Sequence, residues 1–147
     1  MRALVLALVF LFSGAAAAEY KLQIEEDRVV HNPAEWSIAG AEGGYRLYVH
    51  KSSMGTNEKY VITYTAVEFD ELEGRKMISE GFPNVKRIYT AGIMECPNEV
   101  FNLMDDYFVD VNNRILYVRL HEMGEALVEV RTPLTARRAV YEKVCGH

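Results

Sequence analysis

The chain lacks any excess of basic residues. Sixteen Lys and Arg stand against 21 Asp and Glu in 147 residues, for a net charge of −5. Phosphate contacts need a basic footprint, so nucleic acid is excluded as a partner. Internal repeats, linkers and low-complexity stretches are also missing, which leaves one domain. Beyond residue 18 no apolar run approaches the roughly 20 residues that span a bilayer. Cysteine is scarce, with two in the whole chain, and neither forms a C-x-x-C redox pair.

Catalytic patterns are equally thin. There is no G-x-S-x-G nucleophile turn. His121-Glu122-Met123-Gly124-Glu125 opens like a zinc-protease helix but lacks the second histidine, and it reads instead as a solvated turn. The other histidines, His31, His50 and His147, have no partner at metal-ligand spacing. Asp105, Asp106 and Asp110 form the densest acidic run, but the glycine and terminal glutamate of a calcium loop do not follow. Asp105 and Asp106 would also point to opposite faces of a strand, so they cannot act as a dyad. Gly40–Gly44 lacks the lysine of a phosphate loop. No metal or cofactor is expected.

What is present begins with an address. Residues 1–18 (MRALVLALVFLFSGAAAA) carry a positive Arg2, an apolar core from Ala3 to Phe12 and an A-x-A site before Glu19. That is the layout of a cleaved secretory signal peptide, and the core is too short for an anchor. Residues 19–147 are then the folded domain, exported to the periplasm or outside the cell. No cysteine lies near the cleavage site, so lipid anchoring is not expected. Cys96 and Cys145 both fall in the folded part. An even count in an oxidising compartment favours one intrachain disulfide, with two buried thiols or an intermolecular bridge as alternatives.

The pattern along the domain is mostly that of strands. Residues 19–31 are mixed and fit a strand, a short helix or a loose arm. Glu35–Ala41 and Tyr45–His50 flank a Gly43-Gly44 hairpin cue. Tyr60–Phe69 is dense in β-branched and aromatic residues. Residues 70–84 read as a polar connection with room for one helical turn. Val85–Cys96 carries apolar residues on both faces, as a central strand does. Phe101–Val109 and Arg114–His121 flank an Asp110–Asn113 turn, and Leu127–Arg131 is a last short strand. Thr132-Pro133 then starts a helix that runs to Gly146. Leu134, Arg138, Tyr141 and Cys145 share one face of it, with Val144 adjoining. The expected fold is α+β: an antiparallel meander of five to seven strands, one C-terminal helix packed on it, and one disulfide.

Nine tyrosines and one tryptophan are the remaining resource. Such rings either pack the two sheet faces or stay partly exposed as protein contacts. Trp36, Tyr45, Tyr48, Tyr64 and Tyr89 form the candidate binding surface. The order Trp36, the Gly44–His50 strand ending in Ser52-Ser53-Met54, a strand into Cys96, a hairpin and a helix closing on Val144-Cys145 resembles the surface-adhesin protein E family of Gram-negative bacteria. The resemblance covers about residues 36–145. It implies an antiparallel sheet with a terminal helix and two cysteines in corresponding places. The best-known member is an outer-membrane lipoprotein that attaches bacteria to host matrix proteins, whereas this chain has no lipid-acceptor cysteine. The expected function is non-enzymatic binding of an envelope or host-matrix protein. One alternative is a small periplasmic hydrolase or enzyme inhibitor whose site is assembled from distant residues. Another is a structural envelope subunit, signalled by self-association through an exposed strand edge.

Overall fold

Alternating apolar residues and well-placed turns set the architecture. The computed structural model describes residues 22–55, 58–81, 84–122, 124, 126–129 and 136–146. The leader and the Thr132-Pro133 helix start lie outside them. The described chain is α+β, built around a seven-stranded antiparallel sheet with a separate two-stranded ribbon.

The ribbon comes first, as β1 (Ile24–Glu25) and β2 (Arg28–Val29). It is the strand option among those open for residues 19–31, shortened to two residues a side. The main sheet follows as β3 (Trp36–Glu42), β4 (Tyr45–His50), β5 (Tyr60–Phe69), β6 (Arg87–Glu95), β7 (Val100–Val109) and β8 (Ile115–Leu120). Each pairs with the next in chain order, a simple meander. β9 (Ala126–Glu129) pairs with Val100–Leu103 of β7, while Asp105–Val109 of the same strand pair with β8. Gly43 and Gly44 turn the first hairpin at φ +48° and +99°, values glycine adopts without strain. Where β7 bulges opposite Ala91 and Gly92, the backbones come close. A Cβ on Gly92 would collide with the Asn102 carbonyl.

Two helices complete the fold. α1 (Glu71–Ser79) is a nine-residue helix where the sequence reading allowed one turn. Asp70 caps it, accepting from the Glu73 amide at 2.9 Å. The Glu71–Arg75 and Glu73–Lys76 pairs at 2.8 and 3.1 Å support its exposed face. Together these outweigh the interior glycine, Gly74, which costs about 1 kcal/mol. α2 (Ala136–Cys145) stops at Gly146, which has φ +75°.

Helix α2 defines the two faces of the sheet. On its side, Val140, Tyr141, Val144 and Cys145 pack on Leu47, Val49, Val61, Met94 and Phe101. Phe69, Val85 and Phe108 form a second cluster, and the register places Phe69 and Phe108 on that same face. The opposite face holds Trp36, Tyr64, Ala66, Tyr89 and Val109, covered by Val29 of the ribbon. Tyr89 and Met94, both fully buried, point to opposite sides of β6, so that strand is central and covered on each side. The Cys96–Cys145 disulfide, with 5.7 Å between Cα atoms, ties the end of β6 to the end of α2.

Candidate functional site

The five aromatic residues singled out in the sequence do not share one surface. Strand register puts Trp36, Tyr48, Tyr64 and Tyr89 on the face away from α2, and Tyr45 on the α2 face. Trp36 is 6% exposed, Tyr64 is 8% exposed and Tyr89 is closed to solvent. Trp36 stacks on His31 at 5.5 Å and meets His50 and Tyr89 edge-on at 5.1 and 5.6 Å. The Tyr89 hydroxyl lies 3.0 Å from His31 Nδ1. These three rings are packing, as aromatic edge and stacked pairs in a core usually are. Tyr45 and Tyr48 are half-buried.

This layer perturbs its titratable groups. Burial lowers His31 below its ordinary value, with the Arg87 charge adding to the effect. Burial also lowers His50, against the opposing pull of Glu35. The Tyr89 phenol is pushed up to about 12, first by burial. Burial works to raise the Glu68 carboxyl, but the Arg87 hydrogen bond and nearby cations hold it below its usual range. Both imidazoles are therefore biased toward the neutral form relative to a free histidine.

Open apolar surface lies elsewhere, on β8. Leu116, Tyr117 and Val118 are exposed, and Leu120 is 70% exposed. Among the described residues the strand pairs with β7 on one side alone. His121 donates its amide to the Met104 carbonyl at 2.7 Å. By the two-residue alternation of an antiparallel ladder, Val118 and Leu120 then direct their backbone groups outward. The ribbon closes only the start of this edge, where Ile115 donates to the Asp27 carbonyl at 2.7 Å. Arg119 turns its guanidinium over the Phe108 ring at 5.3 Å, on the α2 face. The sequence showed Arg114–His121 as a strand; its edge position depends on which strand comes last in the meander.

Two side-chain networks were not visible from local motifs. His121 is no solvated turn residue: its Nε2 lies 2.9 Å from Asp106 Oδ2, and its side chain is 13% exposed. Thr90 donates to the other Asp106 oxygen at 2.7 Å. Asp106 sits opposite Thr90 and Asp105 opposite Ala91, so the two carboxylates do point to opposite faces. Asp106 occupies the middle of this network, so the histidine does not reach the threonine hydroxyl.

The second network joins Glu35, His50 and Ser52. Ser52 Oγ lies 2.7 Å from His50 Nδ1, and Glu35 Oε2 lies 3.5 Å from Nε2. The Ser52 amide also donates to Nδ1 at 3.2 Å. His50 thereby caps the short turn at Lys51–Ser53. Among the described residues no helix is long and apolar enough to cross a membrane. Comparison with protein-family models, curated proteins and solved structures finds no match for this chain.

Proposed function

We propose that the chain is an exported, non-enzymatic binding protein that accepts an extended segment of a partner protein along the free edge of β8. The observation that carries this reading is β8 itself. Five of its six residues (Ile115-Leu116-Tyr117-Val118-Arg119-Leu120) are apolar. Soluble proteins usually blunt such an edge with lysine, proline or a covering element. Here the one charge, Arg119, is turned onto Phe108. An added strand would pair with the outward groups of Val118 and Leu120 and cover their side chains, the mode of recognition known as strand addition.

Export rests on the leader pattern of residues 1–18 and agrees with the disulfide, since such bonds persist in oxidising compartments. The resemblance to the surface-adhesin protein E family supports an envelope or host-matrix protein as the partner class. Binding moves from the aromatic rings, three of which are buried, to the strand edge.

Proline at position 118 tests the reading. It removes an outward N–H and leaves the β7 ladder intact, a position where edge strands tolerate proline. Purified protein is exposed to envelope and matrix-protein extracts, and the captured species are identified. Capture that Val118→Pro abolishes and Arg119→Lys preserves is expected. Equal capture by Val118→Pro, or no partner at all, overturns strand addition.

One observation favours the hydrolase alternative. The Ser52–His50–Glu35 contacts follow the hydroxyl–imidazole–carboxylate order of an acyl-transfer site. The capping bond from the Ser52 amide gives the same geometry a structural purpose. Ester hydrolysis that Ser52→Ala removes would decide for the enzyme.

A further inference from the structure

Helix α2 is too short for the face it covers. Ten residues of helix reach about 15 Å, whereas ten residues of strand, as in β7, reach about 33 Å. The α2 face accordingly carries two separate clusters, one under α2 and one around Phe69 and Phe108. Between them lies a cavity of about 290 Å³, walled largely by Phe69, Met94, Phe101, Leu103 and Val140, with Glu73 of α1 contributing to its lining. A dry cavity of about 150 Å³ accommodates benzene. This one has room for a molecule of roughly twice that size.

Its polar groups are few and specific. Thr65 lines the cavity and is 5% exposed, which places its hydroxyl at the cavity wall. Thr90 also lines it, but its proton is committed to Asp106, so it offers the cavity only acceptor lone pairs. Asp106, held by Thr90 and His121, is the partner of that hydroxyl. Glu73, paired with Lys76 at 3.1 Å, contributes to the lining at 24% side-chain exposure. A largely apolar wall with hydroxyl acceptors receives a donor and opposes an anion, because an unpaired carboxylate placed there would be desolvated with no cation among the described lining residues to meet it.

We infer that this cavity is a binding site for a compact apolar ligand bearing a hydroxyl group, a phenol or medium-chain alcohol in class, whose O–H is received by Thr65 and Thr90. The site is separate from the β8 edge and independent of strand addition.

Three probes of matched size test it: 4-butylphenol, butylbenzene and 4-butylbenzoate, titrated into the full domain and followed by amide chemical shifts. The phenol is expected to shift residues lining the cavity, with the benzoate at least tenfold weaker. Thr65→Val keeps the shape and removes the hydroxyl. It should weaken the phenol roughly threefold to tenfold and leave butylbenzene unchanged. Val140→Phe, provided its melting curve stays cooperative, should exclude all three. Val118→Pro should bind the phenol as the parent does. Failure of every probe to shift the lining residues overturns the site. Benzoate binding as tight as the phenol, or equal loss of phenol and butylbenzene in Thr65→Val, overturns the assignment of the hydroxyl.

Discussion

Two outer strands of the sheet, β3 and β8, are finished in different ways. β3 begins with Trp36 locked among His31, His50 and Tyr89. Helix α2 packs on its face, with Lys143 Nζ 3.5 Å from Ser37 Oγ. β8 meets the sheet through the Phe108–Tyr117 ring contact at 5.3 Å and Arg119 over the Phe108 ring, and among the described residues no backbone pairing is found on its outer side beyond Ile115. A meander leaves both outer strands unpaired. Here α2 packs on the face of the sheet at the β3 side, and among the described residues β8 is not part of that cluster.

The contrast can be broken most strongly at Trp36. Trp36→Ala should cost about 3–5 kcal/mol and lower the melting temperature by more than about 10 °C. Leu120→Ala should stay within about 0.5 kcal/mol, as exposed positions do. Similar losses at both sites, read by urea unfolding, would show that β8 is packed after all.

Next in size is the disulfide. Cys145→Ser should cost about 2–4 kcal/mol and loosen α2 from the β3 side. An unchanged melting temperature would show that the bond does not hold the helix.

Acid should act through His31, His50 and Glu68. His31 and His50 have native pKa values below the 6.5 of the unfolded chain. Below that value the unfolded state therefore binds more protons. Their contribution is complete above pH 6.5 and fades as pH falls through the lowered native values. Glu68, also lowered from 4.5, extends the loss further into acid. At the alkaline end Tyr89 holds its proton to about 12 against an ordinary 10, so stability falls again between those values. Urea midpoints across pH should flatten on the acid side in His31→Phe, and should keep their slope in Leu120→Ala.

Much of this architecture is legible in the residues. Tyr60–Phe69 forms a strand over the span its β-branched and aromatic residues mark. Gly43-Gly44 turns as its composition demands, and Cys96 and Cys145 pair. α1 went under-read because Gly74 looks like a breaker, although Asp70 and Glu73 already carry the capping-box spacing. The burial of Trp36 was illegible for another reason. Whether a ring is covered depends on which distant segment folds over it, here His31 and the two-residue ribbon strands. The His121–Asp106–Thr90 network joins residues of β6 and β7 to the residue that follows β8, so no local motif announces it. The open edge of β8 follows from topology, which the pattern of one strand does not contain.

Backbone amide exchange on β8, with and without a captured partner, tests the central claim most directly. Val118 and Leu120 amides should exchange rapidly in the free protein and become strongly protected in the complex, while Ile38 on β3 stays unchanged. Protection elsewhere, with Val118 and Leu120 still exchanging at their free rates, would contradict strand addition.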